Sequence, residues 1–402
     1  SGAQPPGAQP PGAQPPSAQP PSAQPPSAQP PSAQPPSAQP DQPIPEPEDH
    51  DRPNNVARAA AWRPTQKHLK GAARILLAYL AALVIFGAFV SLRHVSPLSM
   101  YHTIWSSTIA NRYGFGQVLV KTAPFILAAL AVTVPARAGL INIGGEGQLV
   151  IGATAAGGVG LALGTHVTGV PALLLMAGAA CAAGAAWAGL AAVLKLVGNV
   201  SEAISTLLLN YIGADVLAYL VYGPWKDKAG NGQPASKPIP KADYLPTIHV
   251  LKSHAGIFIA VAAVIAVAWA LNRTKWGFAL RVVGGNPEAA RRAGLAVAGL
   301  TLSAMLVGGA LAGLGGMVQF TGLEGQLRPG LAATYGYLGF LASWLARHKP
   351  AQVALAALLI GIIAVAGNSL ELSSHLPGGA VDVLMALVLL AVLSKKQTAV
   401  AA

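Results

Sequence analysis

Charge is what this 402-residue chain has least of: only 10% of its residues are Asp, Glu, Lys or Arg. Soluble domains carry about 25%, so a water-solvated globular fold is excluded for most of the chain. Cysteine is nearly absent as well. The single thiol, Cys181, excludes an internal disulfide framework and a cysteine-based metal cage. The nine histidines include no His-x-x-x-His pair of the kind that binds zinc. No Gly-x-x-x-x-Gly-Lys-Ser/Thr phosphate loop and no nucleophile elbow occurs, so nothing supports an enzyme active site, and no cofactor is expected. Apolar residues are in excess: the chain is 53% hydrophobic, with a mean hydropathy of +0.49. The class this defines is an all-α polytopic membrane protein.

The chain opens, over 1–40, on a repeated unit, Gly-Ala-Gln-Pro-Pro and then Ser-Ala-Gln-Pro-Pro. Proline removes backbone donors and the unit has no large apolar side chain to bury, so residues 1–51 are expected to form a disordered, partly polyproline-II tail. It lacks the basic start and apolar run of a signal peptide. A basic lead-in follows over residues 52–74. The membrane domain is assigned to 75–394, and 395–402 to a short tail. A helix rises 1.5 Å per residue, so about 20 apolar residues cross a hydrocarbon core of about 30 Å. Ten candidate spans meet or approach that length: Ile75–Leu92, Gln117–Ala136, Leu140–Leu163, Val167–Leu194, Ala203–Tyr222, Ala255–Leu271, Leu295–Phe320, Gly330–Ala346, Ala351–Leu370 and Gly379–Leu393. Gly330–Ala346 is short enough to dip in and return. Patterns such as Gly309-x-x-x-Gly313 suit close helix packing.

Alternating these spans with the N-terminus inside places 17 of the 26 Lys and Arg residues in the cytoplasm. The positive-inside bias therefore favours both termini inside, with a Lys-rich external loop at 223–254 as the exception. The formal net charge of +12 is read as a topology signal, with inner-leaflet lipid as its partner and no nucleic acid.

Polar intrusions mark where chemistry is expected. Gly139–Gln148 places Asn142, Glu146 and Gln148 among four glycines at the start of a span. A carboxylate near mid-membrane costs about 2.5–3.5 kcal/mol unless it faces a partner or a polar cavity. Clustered glycines permit a break in the helix that frees backbone groups for a substrate. The alternative is a helix-start carboxylate that satisfies backbone donors near the inner face. Asn210 and Tyr211 fall deep in another span, with Asp215 a turn further on; interhelical hydrogen bonding is the alternative for Asn210. Glu202 reads as interfacial. Gln319, Asn368, Glu371 and Asp382 intrude in the second half, the last two near the outer surface.

The loop Trp276–Leu295 carries a short helix: Asn286 as cap, Pro287 at the first position and Glu288 in the first turn. Ala289, Ala290 and Ala293 form a close-packing face and Gly294 a stop. This shape suits docking on a soluble partner; an ordinary interfacial connector is the alternative.

Three segments carry a resemblance. Gly139–Gln148 is similar to the Gly-x-x-Asn-Ile-Gly-x-Glu-Gly-Gln signature of bacterial ABC-importer permeases of the ribose, nucleoside and branched-chain amino acid superfamily. Ile204–Ile212 resembles that family's Ile-Ser-Thr-x-x-Leu-Asn-Tyr-Ile segment, and Gly284–Gly294 its Gly-x-Asn-x-x-Ala-Ala-x-x-x-Gly loop. Tyr335–Arg347 matches more loosely, departing at Ser343 and Trp344. The match runs from about Leu69 to Leu393 and looks most like the nucleoside-type branch. The resemblance implies a permease subunit in the bacterial plasma membrane, moving a nucleoside or else a simple sugar. It implies ATP bound by separate ATPase subunits, a second permease subunit and an external substrate-binding protein. The cost of placing polar groups in lipid puts the expected substrate path at Asn142, Glu146, Gln148, Asn210, Tyr211, Gln319 and Asn368, and the resemblance implies ATPase coupling at Gly284, Gly285, Asn286, Pro287, Ala289, Ala290 and Gly294. A stand-alone secondary transporter or channel using Glu146 and Asp215 competes with it, as, more weakly, does a membrane scaffold using the Pro-rich tail.

Overall fold

The computed structural model describes residues 80–81, 83–92, 95–230, 232–374, 383 and 386–387. The tail at 1–51, the lead-in at 52–74, Asp382, most of Gly379–Leu393 and the segment 395–402 lie outside the described residues. The fold is helical, with α1 (residues 83–91), α2 (Pro97–Thr108), α3 (Arg112–Ala136), α4 (Gly145–Leu163), α5 (Val170–Gly198), α6 (Glu202–Tyr222), α7 (Gly256–Arg273), α8 (Lys275–Gly285), α9 (Pro287–Arg292), α10 (Val297–Gln319), α11 (Tyr335–Leu345) and α12 (Pro350–Ser374). One antiparallel pair, β1 (Thr247–Ile248) and β2 (Ser253–His254), is the only sheet among the described residues.

Seven of these helices are long and apolar enough to cross a membrane: α3 to α7, α10 with its continuation to Glu324, and α12. Of the ten expected spans, Ile75–Leu92 and Gly379–Leu393 lie partly or mostly outside the described residues, and seven of the other eight correspond to these helices. Gly330–Ala346 yields only the 11-residue α11, about 16 Å long, because Arg328–Thr334 is a turn with Ala332 and Thr334 at positive φ. Leu140–Leu163 begins late, at Gly145. Helix α2 lacks a candidate span altogether; its 12 residues are too few to cross.

Helix α3 is the most enclosed span, and α10 packs on α5, α3 and α4. Glycine makes that packing possible. A Cβ on Gly313 would overlap the Ala180 backbone of α5, and one on Gly152 of α4 would overlap Gly313. Small residues let helix backbones touch where lipid provides no hydrophobic drive between them.

The turns gather at two opposite ends. At one, Arg137 Nη2 donates to the His348 carbonyl at 3.1 Å and Gly139 lies against Gly284. At the other, Arg112 binds the Val250 carbonyl at 2.8 Å and Gly169 N–H donates to Asp243 Oδ1 at 2.6 Å. The loop between α6 and α7 folds over this second end. Its Ser236, Ile239 and Leu245 N–H groups donate to Leu327, Gly325 and Thr321 carbonyls. Burial pushes the His254 imidazole down to about 4, so at neutral pH its Nδ1 is an acceptor for Gly256 N–H, at 3.0 Å.

The glycine seam gives a paired prediction. Gly313→Val drives a side chain into α5 and is expected to lower stability by at least the ~1–3 kcal/mol typical of overpacking. Gly178→Val, on α5 with open space around its Cβ, should change it little. Thermal unfolding of the purified variants measures both; equal melting temperatures would contradict the seam.

Candidate functional site

Helix α3 ends at Ala136 and α4 starts only at Gly145. Between them the chain turns at Gly139 (φ 74°) and runs back, extended, into the helix bundle. An extended segment has no internal hydrogen bonds, and in an apolar surrounding each unpaired group costs several kcal/mol. Helix α6 supplies the partners. Glu202 Oε1 accepts from Ile141 N–H at 3.2 Å, Thr206 Oγ1 from Ile143 N–H at 3.2 Å, and Asn210 Oδ1 from Gly147 N–H at 2.8 Å. The three acceptors recur at every fourth position, so they stand in one row along the helix. Asn210 Nδ2 also donates to the Ile143 carbonyl at 3.0 Å and the Tyr337 hydroxyl at 3.3 Å. At Gly147 a Cβ would sit 2.8 Å from the Asn210 Cα, so this approach needs glycine.

Asn142 and Gln148 close on each other. Asn142 Nδ2 donates to Gln148 Oε1 at 3.1 Å and Gln148 Nε2 to Asn142 Oδ1 at 2.9 Å. Asn142 Nδ2 also binds the Ala131 carbonyl at 3.1 Å, and its Oδ1 accepts Gly144 N–H at 3.0 Å. Both amides are buried.

Glu146 belongs to the first turn of α4, yet it caps a different helix. Its Oε1 accepts from Thr334 N–H at 2.6 Å and its Oε2 from Gly336 N–H at 2.7 Å. These are the orphan donors at the start of α11. The Tyr335 ring packs on Phe125, midway along α3, with centroids 4.7 Å apart. Two helix N-termini, each a positive dipole end, therefore meet on one carboxylate near mid-span. Thr334, the donor to Oε1, sits at φ 74°.

The remaining expected path residues separate. Gln319 is buried and its Nε2 reaches Glu324 Oε1 at 3.5 Å. Tyr211 is 63% exposed on the face of α6 away from Asn210, and Asn368 is exposed on α12; neither joins the cluster. Glu371 is exposed. Glu202, expected to be merely interfacial, is buried and pairs with Lys195 at 2.6 Å. Thr206 was missed, although the even spacing from Glu202 to Asn210 was its signal. Lys121 lies in the first half of α3. Ser343 and Trp344 fit after all: the Ser343 hydroxyl bonds Thr133 Oγ1 at 2.8 Å and His348 Nδ1 at 2.9 Å, and Trp344 packs on Phe340 and His348.

Toward the Arg137 end lies the expected coupling motif. Asn286 Oδ1 accepts from Glu288 and Ala289 N–H, both at 3.0 Å, and Pro287 opens α9. Ala289, Ala293 and Gly294 are exposed. Ala290 is fully buried, which corrects its placement on the docking face: it anchors α9 to its own chain. Gly285 is exposed, with open space where a Cβ would stand. Gly284 packs directly on the turn that begins the break. A Cβ there would overlap the Arg137 carbonyl and come within 3.0 Å of Gly139 N. A cavity of about 180 Å³, lined by Val132, Gly139, Leu140, Ile141 and Trp344 among others, lies beside the same turn.

A bundle of membrane-crossing helices with a hydrogen-bonded break inside it and a short capped helix at one end has the form of a transport subunit. The match to the family of branched-chain amino acid transport system permease components, over residues 114–393, places the chain in it: the protein belongs to this family of integral membrane permeases. Among its relatives, a glucose ABC transporter permease protein of Haloferax volcanii is 37% identical, over 78% of this chain and 85% of its own length. A guanosine ABC transporter permease protein of Bacillus subtilis is 31% identical, over 79% and 92%. A nucleoside ABC transporter permease protein of Lactococcus lactis is 26% identical, over 74% and 83%. In each of these organisms a second permease protein matches as well. No solved structure matches the chain.

The clamp makes a prediction. Glu146→Gln keeps the shape but replaces two charge-assisted bonds by at most one neutral acceptor. Hydrogen bonds to charged groups contribute about 1.5–3 kcal/mol against about 0.5–1.5 for neutral ones, so a loss of about 1–2 kcal/mol is expected. Thermal unfolding should show a lower midpoint for Glu146→Gln; an unchanged midpoint would show that the carboxylate does not hold α11.

Proposed function

We propose that this chain is the membrane subunit of an ATP-driven importer that moves a nucleoside into a bacterial cell across the plasma membrane. The observation that supports it most is the contact of Gly284 with Arg137–Gly139. It joins the exposed helix α9 to the hydrogen-bonded break through one rigid turn. In this reading α9 docks on an ATPase subunit, which binds and hydrolyses the ATP that this chain has no phosphate loop to hold. Closure of the ATPases pushes α8 and α9 against the turn. The push shifts the 139–144 segment along the row of Glu202, Thr206 and Asn210, and with it the junction at Glu146 where α4 meets α11. The Arg137 end is cytoplasmic, and so are both termini, in line with the excess of Lys and Arg assigned to that side. The Arg112 end, covered by the loop at 223–255, receives solute from an external binding protein. The second permease proteins of the relatives' organisms support a paired subunit that is related but distinct. Two relatives named for guanosine and nucleosides support the substrate. A simple sugar is the second reading, favoured by the 37% identity to the glucose permease protein.

Purification from cells that also express its neighbouring transporter genes, followed by uptake of radiolabelled guanosine and D-glucose into ATP-loaded proteoliposomes, tests the reading. ATP-dependent accumulation of guanosine is expected. Ala289→Trp, on the exposed face of α9, is expected to keep the fold and to weaken ATPase docking at least five-fold, the equivalent of about 1 kcal/mol. Retention of both bound ATPase and uptake by Ala289→Trp would remove α9 as the coupling element. Accumulation driven by a proton gradient without ATP would favour a secondary transporter instead.

A further inference from the structure

Helix α6 has two faces with different work. Glu202, Thr206 and Asn210 hold the break. The other face carries Ile204, Leu208, Tyr211, Asp215, Tyr219 and Tyr222, spaced three or four apart and all exposed. At about 100° per residue these six fall within one stripe. The stripe changes character along its length. Its Arg137-side half is Ile204 and Leu208; from mid-helix outward it is tyrosine and aspartate.

Tyr211 stands at the middle of the 21-residue α6, and Asp215 lies about 6 Å further out. Neither position is the headgroup region where tyrosines anchor a helix. Among the described residues, the Tyr211 hydroxyl and the Asp215 carboxylate make no hydrogen bond or ion pair within the chain. Tyr211 and Tyr219 are 63% and 73% exposed. A carboxylate at this depth is not tolerated against lipid tails or a dry protein surface without a partner. Water resolves it. Helix α6 packs mainly on α4 and α5, so the stripe looks out of this subunit, and the far wall of a water-filled space must come from another chain.

We infer that the Tyr211–Asp215–Tyr219 row lines an aqueous solute path, closed on its far side by a second permease subunit, for an uncharged solute with several hydroxyl groups. The inference rests on the proposed role as one of a pair of permease subunits. Asp215 accepts hydrogen bonds from solute hydroxyls and disfavours anions such as phosphorylated sugars or nucleotides. The tyrosine rings offer flat apolar surface to a sugar or base, and their hydroxyls donate or accept. Ile204 and Leu208 form the apolar seal on the Arg137 side, so the path opens toward the Arg112 end.

The test uses the assembled transporter in proteoliposomes, in a Cys181→Ala background. Asp215→Cys and Tyr211→Cys are treated with a membrane-impermeant charged thiol reagent, beside Leu190→Cys, an exposed apolar position on α5. Labelling of the α6 positions at least ten-fold faster than Leu190→Cys is expected, slowed by whichever of guanosine, uridine or D-glucose the unmodified transporter accumulates. Asp215→Asn is expected to cut uptake at least five-fold while the ATPase subunits remain bound. Labelling as slow as at Leu190→Cys, or normal uptake by Asp215→Asn, overturns the inference. If the unmodified transporter accumulates none of the three solutes with ATP, the functional proposal fails instead; labelling then still decides whether the row faces water.

Discussion

Everything distinctive in this protein depends on one constraint: a backbone N–H inside a membrane must find an acceptor in the protein. Continuous helices meet the constraint internally. The segment between α3 and α4 does not, and its extended course is possible only because α6 presents carboxylate, hydroxyl and amide acceptors at successive turns. The same constraint operates at α11, whose first N–H groups are accepted by Glu146. The polar residues that make the sequence look like a transport path are thus largely committed to the backbone. They form a joint at which helix ends meet, rather than a row of free groups awaiting solute.

A joint built this way has few fixed points and definite directions of motion. It is anchored on α6 by three side chains, on α11 by one carboxylate, and at the Arg137 end by the glycine contact with α8. Glycines elsewhere bring α4, α5 and α10 into backbone contact. Helices α8 and α9 also pack on α7 and α10, and Gly284 is the point at which α8 touches the turn that begins the break.

Much of the architecture was legible in the sequence, because uncharged runs long enough to cross a bilayer have few alternatives to a membrane helix. The break was legible too: four glycines around Asn142, Glu146 and Gln148 signal a place where a helix does not continue. What could not be read was which groups would meet. Glu146 and Thr334 lie in opposite halves of the membrane domain, and no local pattern connects them. Asn210 and Tyr211 are neighbours in sequence, but a single residue step around α6 turns one to the joint and the other outward. The same geometry separates Ala289 from Ala290. Helix α2 escaped notice because so short a run of mixed polarity carries no span signal.

The central claim is that the 139–147 segment is the moving joint between the ATPase-facing helix and the solute path. Hydrogen–deuterium exchange of the assembled transporter, compared without nucleotide and with ATP trapped in the ATPase subunits, tests it most directly. The account predicts a change in exchange at Ile141, Ile143 and Gly147 and at the start of α11, with the α5–α10 seam unchanged. Equal exchange across 139–147 in the two states, in a preparation that transports, would contradict it.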